Sequence, residues 1–283
     1  MSEAGSLVTA DWLEAHLDDP GVRVVETTWY LPTDGRSGRA EYESGHIRGA
    51  AYWDIDGIAD PDDPRPHMAP SPAGFASNME ELGIGDSTRV VAYDRVGMMT
   101  VGRAWWMLRY FGHDSVSILD GGFGKWTAEG RPTEAGPQSS RPAPDAFTAR
   151  PRAERISDLD TIVASLDGAA LQILDARAPG RFAGTEPEPR PGCRSGHIPG
   201  SANLPYNRLV NPETGEMRPP DEIRALFDDA GIDVARPVTT TCGSGVTASL
   251  LAFGLHLIGQ DDVAVYDGSW SEWGMRADTP IET

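Results

Sequence analysis

Ser44-Gly-His-Ile-Arg-Gly-Ala-Ala-Tyr52 recurs later in the chain as Ser195-Gly-His-Ile-Pro-Gly-Ser-Ala-Asn203, with six of nine residues identical and an offset of 151 residues. A second match follows in the same order, because Leu119-Asp-Gly-Gly122 pairs with Tyr266-Asp-Gly-Ser269 at an offset of 147 residues. Two matches in the same order at nearly the same offset indicate a duplicated domain. The chain is 283 residues long, so each copy is large enough to bury its own hydrophobic core.

A connecting segment separates the two copies. Residues 131–155 contain five prolines and many small polar residues, a composition typical of an irregular connection along a protein surface. We therefore predict a first domain over residues 1–133, a linker over residues 134–154 and a second domain over residues 155–283.

Each copy alternates short β-branched segments with segments of helical periodicity. The alternation predicts an α/β fold, with a mostly parallel sheet flanked by helices in each domain. Helix starts are predicted at Thr9, Ser71-Pro72 and Ser157, and an apolar segment of helical length runs from Ala248 to Ile258. The predicted strands are Val22–Val25, Arg89–Ala92 and Val116–Leu119 in the first copy, and Leu171–Leu174, Val238–Thr241 and Val263–Tyr266 in the second.

The charge of the chain argues against several classes of partner. Its 43 acidic and 24 basic residues give a net charge of -19, which repels both nucleic-acid phosphates and anionic membrane surfaces. We therefore expect neither nucleic acid nor a membrane as a partner. Lys125 is the only lysine, which leaves almost no candidate for a Schiff base or a P-loop.

The cysteine content points to a reducing compartment. Cys193 and Cys242 are the two cysteines of the chain, too few for a disulfide framework or a structural zinc site. Residues 1–19 include Glu3, Asp11 and Glu14 and lack the apolar core of a secretory signal. We therefore predict a cytoplasmic protein.

The segment Cys242-Gly-Ser-Gly-Val-Thr247 connects a predicted strand to a predicted helix. Cys242 is thus expected at the carboxyl end of a strand, where α/β sheets bind their ligands. The glycines allow the loop to turn backbone N–H groups inward, and the N-terminus of the next helix adds positive potential. Such surroundings stabilise a thiolate, the nucleophilic form of cysteine. In the alternative interpretation, Cys242 is a buried and unreactive cysteine.

The corresponding loop of the first copy has Asp94 at the position of Cys242. Thiol chemistry is therefore possible in the second copy alone. A cysteine-dependent phosphatase would need an arginine six residues after its nucleophile, where this chain has Ala248. This difference argues against phosphatase activity.

These motifs resemble the tandem-domain rhodaneses, a family of sulfurtransferases. The resemblance covers essentially the whole chain and rests on both Gly-His-Ile motifs, on Asp-Gly-Ser-Trp-Ser-Glu-Trp at residues 267–273, and on the Cys242 loop. It implies that Cys242 accepts a sulfur atom as a persulfide and passes it to a nucleophile. It also implies that the rest of the loop contributes to substrate binding, through Gly243, Gly245, Val246 and Thr247.

The residues after Cys242 resemble one branch of this family. The neutral Gly243 and Ser244 are similar to the loop of the branch that uses 3-mercaptopyruvate, whereas the thiosulfate branch typically has basic side chains there. A negatively charged substrate must then be bound from outside the loop. The resemblance assigns this role to Arg181 and Arg190, and arginine is well suited to bidentate carboxylate binding. Alternatively, the two arginines only pair with neighbouring glutamates, Glu186 and Glu188.

The resemblance also implies a polar relay. Asp56 is followed eleven residues later by His67, and these two residues would act with Ser244 near Cys242 in moving protons. Alternatively, Asp56 caps a turn and His67 is a structural loop histidine.

Two further histidines and one cysteine need no catalytic role. His46 and His197 occur in the repeated Gly-His-Ile motif, and the copy without a cysteine retains its histidine, which favours a structural function. Cys193 is treated as incidental, because the sequence does not fix its distance from Cys242.

The resemblance implies a sulfurtransferase that moves sulfur from 3-mercaptopyruvate to an acceptor and releases pyruvate. The acceptor would be a small thiol, a thioredoxin-like protein or cyanide, and the reaction needs no metal and no organic cofactor. One alternative is a thiosulfate sulfurtransferase with the same persulfide. Another is a non-catalytic persulfide carrier or redox sensor.

Overall fold

The computed structural model describes residues 5–166, 168 and 171–283. The chain divides into two compact units. The first unit comprises Met1–Pro61, Ala69–Pro151 and Val210–Met217, and the second comprises Asp62–Met68, Arg152–Leu209 and Arg218–Thr283. Two short segments, Asp62–Met68 and Val210–Met217, therefore group with the other half of the chain, which a division at a single linker does not anticipate.

The first unit alternates strands and helices. Its elements are β1 (Leu7–Val8), α1 (Ala10–His16), β2 (Val22–Glu26), a 3-10 turn (Pro32–Asp34), α2 (Gly38–Ser44), β3 (His46–Ile47), β4 (Ala51–Tyr52), α3 (Pro72–Glu81), β5 (Arg89–Tyr93), α4 (Val101–Tyr110), β6 (Val116–Leu119), α5 (Gly122–Ala128) and β7 (Thr133–Glu134).

The second unit repeats the alternation. Its elements are a 3-10 turn (Ala153–Arg155), β8 (Ile156–Ser157), α6 (Leu159–Ser165), β9 (Gln172–Asp175), α7 (Pro179–Phe182), β10 (Ala202–Asn203), a 3-10 turn (Tyr206–Leu209), α8 (Pro220–Asp229), β11 (Val238–Thr241), α9 (Ala248–Leu257), β12 (Val263–Tyr266) and α10 (Ser269–Trp273).

Each unit contains a five-stranded sheet, and all neighbouring strands within each are parallel. The strand order is β1-β6-β5-β2-β4 in the first unit and β10-β9-β11-β12-β8 in the second. Read in reverse, the first order is β4-β2-β5-β6-β1. Each of these strands is the counterpart of the strand at the same place in the second order. The predicted α/β class and the duplication are therefore confirmed, and a small antiparallel pair, β3 with β7, is added to the first unit.

The sequence signals set most of the element boundaries. The N-caps predicted at Thr9 and Ser71 are confirmed, since each side-chain oxygen accepts a backbone N–H of the first helical turn. The start predicted at Ser157 is wrong by one residue. Ser157 ends strand β8, and Asp158 caps α6 by accepting the Thr161 N–H at 2.9 Å.

Interior strands of both sheets are buried. All five residues of β2 and all four of β11 are buried, as predicted for sheets covered by helices on both faces. The duplication extends into the packing, because Trp126 and Trp273 are fully buried and each donates its indole N–H to a proline carbonyl, that of Pro132 or Pro280. Within the described ranges, every helix is too short or too polar to span a bilayer.

Candidate active site

Cys242 follows directly on β11, at the carboxyl edge of the second sheet. Thr241, the last residue of β11, is paired in register with Asp175, the last residue of β9. The loops that follow the two strands therefore leave the sheet at the same edge. This places the Cys242 loop beside the segment that contains Arg181 and Arg190.

The Cys242 loop is held by α10 through its carbonyl groups. The carbonyls of Cys242 and Gly243 accept the N–H groups of Trp270 and Ser271 at 2.9 and 2.8 Å. Gly245 has a φ of +76°, a left-handed conformation that favours glycine, and its carbonyl accepts the Ser249 hydroxyl at 2.8 Å. In the described part of the chain, the N–H groups of residues 243–247 have no hydrogen-bond acceptor. They remain available to an anion.

The first unit shows how such a loop treats an anion. Asp94, at the position of Cys242, is 2% exposed, and its carboxylate collects backbone N–H groups from its own loop. The donors are Val96 at 3.1 Å, Met98 at 2.9 Å, Thr100 at 2.8 Å and Val101 at 3.1 Å. The repeat therefore supports the prediction that the Cys242 loop is built to surround negative charge.

Arg181 and Arg190 converge on the Cys242 loop. A methyl group placed on the Gly243 Cα would lie 3.2 Å from Arg181 Nη2 and 3.7 Å from Arg190 Nη1. Arg181 is the third residue of the short helix α7, which begins at Pro179 directly after the extended residue Ala178. Two guanidinium groups thus meet next to Gly243, the residue that follows Cys242.

The two arginines differ in their ion pairing. Arg181 pairs with Glu188, with Nη2 at 2.5 Å from Oε2, whereas no carboxylate lies within ion-pairing distance of Arg190 in the described ranges. Burial lowers the pKa of the Arg190 guanidinium from its ordinary value, and the nearby Cys242 sulfur opposes this shift. Arg181 therefore forms the glutamate pair of the alternative interpretation, although this pair leaves room for a further ligand, whereas Arg190 forms no such pair in the described ranges.

His67 and Ser244 meet in the second unit. His67 Nδ1 lies 2.9 Å from Ser244 Oγ, within hydrogen-bonding distance. His67 lies in Asp62–Met68, the segment of the first half of the chain that groups with the second unit, and it is 4% exposed. Its φ of +64° is rare for a residue with a side chain. A strained backbone at a buried polar contact is typical of functional sites.

A salt-bridge cluster anchors the segment that contains His67. Arg65 pairs with Asp63 at 2.5 Å and also with Glu272 of α10. Asp56, the third member of the predicted relay, belongs to the first unit, where its carboxylate accepts the indole N–H of Trp29 at 2.7 Å.

The remaining sequence candidates make structural contacts. His46 stacks on Tyr42 and His197 stacks on Phe182, and each Nδ1 lies within hydrogen-bonding distance of the carbonyl of the residue on which it stacks. Burial raises the pKa of the Cys193 thiol to about 11, which disfavours its thiolate at neutral pH.

Sequence reasoning did not predict the ion-pair cluster of Asp175, Arg177 and Glu188. The Arg177 guanidinium pairs with Asp175 at 2.7 Å and with Glu188 at 2.8 Å, and all three side chains are almost fully buried. The density of charged residues between Asp175 and Arg190 was the only sequence feature that pointed to this cluster. The sequence does not distinguish Glu188, whose side chain is buried, from the exposed Glu186. In the residues described, no cluster of three or more His, Cys, Asp or Glu side chains could hold a metal ion.

Comparisons with known proteins agree with this architecture. The family model described as the rhodanese-like domain matches residues 9–129 and 158–276. The chain is 44% identical over 278 residues to 3-mercaptopyruvate sulfurtransferase of Rattus norvegicus, covering 96% of this chain and 93% of the relative. It is 42% identical over 285 residues to thiosulfate sulfurtransferase of Cricetulus griseus, covering 98% and 94%.

A solved structure has the same fold as this chain. The crystal structure of SseA from Escherichia coli, described with the rhodanese fold and the catalytic mechanism of 3-mercaptopyruvate sulfotransferases, matches with a TM-score of 0.85 and 36% identity, covering 95% of this chain and all of that one. The two curated relatives carry different donors in their names at nearly equal identity. The donor of this chain must therefore be argued from its own site.

Proposed function

This chain belongs to the rhodanese family, and we propose that it is a sulfurtransferase that moves the sulfur of 3-mercaptopyruvate to a thiol or cyanide acceptor through a persulfide on Cys242, releasing pyruvate. The observation that carries this proposal is the convergence of Arg181 Nη2 and Arg190 Nη1 on Gly243. A site with two guanidinium groups beside a nucleophile suits a donor that has a carboxylate close to its sulfur.

Donor binding places the carboxylate of 3-mercaptopyruvate on the two arginines. Arg190 has no carboxylate partner of its own in the described chain and supplies the uncompensated positive charge. Arg181 is 23% exposed and keeps part of its guanidinium available beyond its bond to Glu188. Binding the carboxylate and the keto oxygen fixes the substrate sulfur relative to the nucleophile, which lowers the entropic part of the barrier.

In the first chemical step, the Cys242 thiolate attacks the substrate sulfur. A sulfur–sulfur bond forms, the carbon–sulfur bond breaks, and its electron pair remains on carbon as the enolate of pyruvate. The enolate takes up one proton to give pyruvate, and the sulfur that came from the donor thiol gives up its proton, so that the persulfide is left as an anion. The contact of Ser244 with His67 at 2.9 Å supports a role for both residues in this proton movement.

The persulfide then waits for an acceptor. Its terminal sulfur is negatively charged, and the N–H groups of Gly243, Gly245, Val246 and Thr247 stabilise it as the Asp94 loop stabilises its carboxylate. A small thiol, a thioredoxin-like protein or cyanide attacks the outer sulfur, and the Cys242 thiolate leaves. The cycle uses no metal or organic cofactor. Both cysteines are free thiols, which suits a reducing cytoplasm.

The test is pyruvate release from 3-mercaptopyruvate with a thiol acceptor, next to thiosulfate as the donor. We expect the native chain to prefer 3-mercaptopyruvate in kcat/KM, and Cys242→Ser to release no pyruvate. A preference for thiosulfate would assign the chain to the activity named for the Cricetulus griseus relative. Formation of a persulfide without turnover of either donor would instead indicate a sulfur carrier or redox sensor.

A further inference from the structure

We propose that Glu188 determines donor specificity, because it lowers the positive charge of the donor site to the value that suits a singly charged donor. The inference rests on the proposed binding of a donor carboxylate by Arg181 and Arg190. Glu188 does not bind the donor itself and acts through Arg181.

Glu188 has a buried side chain directly after three exposed residues, 185–187. Its neighbours Glu186 and Pro187 are exposed, yet the Glu188 side chain is 3% exposed. A carboxylate is buried at such a position only when cations compensate its charge. Glu188 has two such partners, Arg177 at 2.8 Å and Arg181 at 2.5 Å.

The ion pairs fix the charge that the arginine cluster presents to a donor, and the Cys242 thiolate adds the same negative charge for every donor. Arg177 is held from the other side by Asp175, with four hydrogen bonds to that carboxylate from its backbone N–H and its guanidinium. Asp175 therefore balances Arg177, and Glu188 balances Arg181. Arg190 remains unbalanced within the described residues, which gives the group of five side chains a net charge of +1.

A net charge of +1 matches one class of donor. At neutral pH, 3-mercaptopyruvate carries one negative charge on its carboxylate and an uncharged thiol, whereas thiosulfate carries two negative charges. Gly243 and Ser244 add no charge from the loop. The dianion is therefore left with one uncompensated charge on entering a partly buried site, where water screens that charge poorly. Removal of the Glu188 charge raises the site to +2 and removes this penalty.

The test variant is Glu188→Gln, which keeps the size of the side chain and one oxygen that can accept from Arg181. We expect the ratio of kcat/KM for thiosulfate to kcat/KM for 3-mercaptopyruvate to rise at least tenfold, with the gain for thiosulfate mainly in KM. Raising the ionic strength should reduce this change. Glu186→Gln is the matched control, because Glu186 is exposed and forms no ion pair in the described ranges.

Two outcomes overturn the inference. An equal loss of kcat/KM for both donors would mean that Glu188 only positions Arg181, and an unchanged ratio would mean that its charge does not reach the donor. Glu188→Asp, which retains the charge, should keep the native ratio. If the native chain itself releases no pyruvate from 3-mercaptopyruvate, the proposed function fails, and this result is separate from any effect at Glu188.

A second measurement avoids the dependence on a folded variant. Pyruvate and oxaloacetate are both 2-oxo acids, with one and two carboxylates respectively, and each can be tested as an inhibitor of the native chain. A site of charge +1 should bind pyruvate at least as tightly as oxaloacetate. Markedly tighter inhibition by oxaloacetate would contradict the charge assignment.

Discussion

Asp94 in the first unit occupies the loop position that Cys242 occupies in the second, and its carboxylate accepts the backbone N–H groups that surround it. The Val96 N–H lies 3.1 Å from the carboxylate, and the Thr100 N–H lies 2.8 Å from it. The duplicated loops thus differ in one respect: one contains the carboxylate of Asp94, and the other contains the thiol of Cys242. In the proposed reaction the second loop acquires its negative charge as a thiolate or persulfide.

Asp94→Asn should destabilise the first unit without abolishing sulfur transfer by the molecules that remain folded. The amide loses the negative charge that the loop N–H groups share, and hydrogen bonds to charged groups contribute about 1.5–3 kcal/mol. Urea unfolding should show a loss of about 2 kcal/mol, whereas Asp34→Asn, at an exposed position, should show almost none. A native midpoint for Asp94→Asn would argue against an anion-holding role.

Arg190→Gln should raise KM for 3-mercaptopyruvate by about 10- to 100-fold, because it removes a charge-assisted hydrogen bond to the donor. Arg181→Gln should act in the same direction, although its charge is shared with Glu188. Steady-state pyruvate release measures both effects. Arg208→Gln, at an exposed position, is the control, and a native KM in Arg190→Gln would exclude it from donor binding.

The fold could be predicted from the sequence because its signals are local. Strands β6, β11 and β12 begin and end at the predicted residues, since β-branched runs and neighbouring turn residues mark both ends. The capping error at Ser157 has a local cause as well. Ser157 and Asp158 are both good N-caps. Because Ser157 pairs with Tyr266 of β12, strand β8 extends through Ser157, and Asp158 becomes the N-cap of α6.

The setting of Cys242 could be predicted from its own loop, whereas the long-range contacts of the candidate site could be predicted only where a resemblance supplied the information. The contact of His67 with Ser244 joins residues 177 positions apart, and no periodicity in the sequence records such a contact. Glu188 was visible only as one of two nearby glutamates, because burial distinguishes it from Glu186 and depends on tertiary packing. Chemistry-bearing residue types are thus readable in a sequence, whereas their partners are not.

His67→Gln should lower kcat for pyruvate formation by about 100-fold, the lower end of the usual contribution of acid–base catalysis. The glutamine can still form a hydrogen bond with Ser244 but cannot carry a proton. KM for the donor should change little, because His67 is not a proposed ligand of the carboxylate. Circular dichroism checks the fold of the variant, and a native kcat would remove His67 from the proton pathway.

The stability of the first unit should fall as the pH drops below about 6.5, the ordinary pKa of histidine. Burial lowers the pKa of His113, and this effect exceeds the opposing influence of Asp86, Asp114 and nearby backbone groups. The unfolded chain therefore binds a proton at a pH where the folded chain does not, and stability is lost toward acid. Thermal melting between pH 8 and pH 5 should show this loss, and the loss should be smaller in His113→Phe.

Gly243→Ala tests the convergence of the two arginines by steric means alone. The φ of Gly243 is not in the left-handed region, so alanine adds no backbone strain, but its methyl group would lie 3.2 Å from Arg181 Nη2 and 3.7 Å from Arg190 Nη1. The methyl group should displace the guanidinium groups and occupy space meant for the donor, raising KM for 3-mercaptopyruvate roughly three- to tenfold, as expected for about 1 kcal/mol of lost binding. Gly124→Ala is the control, because a methyl group there would contact nothing within 4 Å. If Gly243→Ala keeps the native KM, the donor does not bind between Cys242 and the two arginines, and the carboxylate must be held elsewhere.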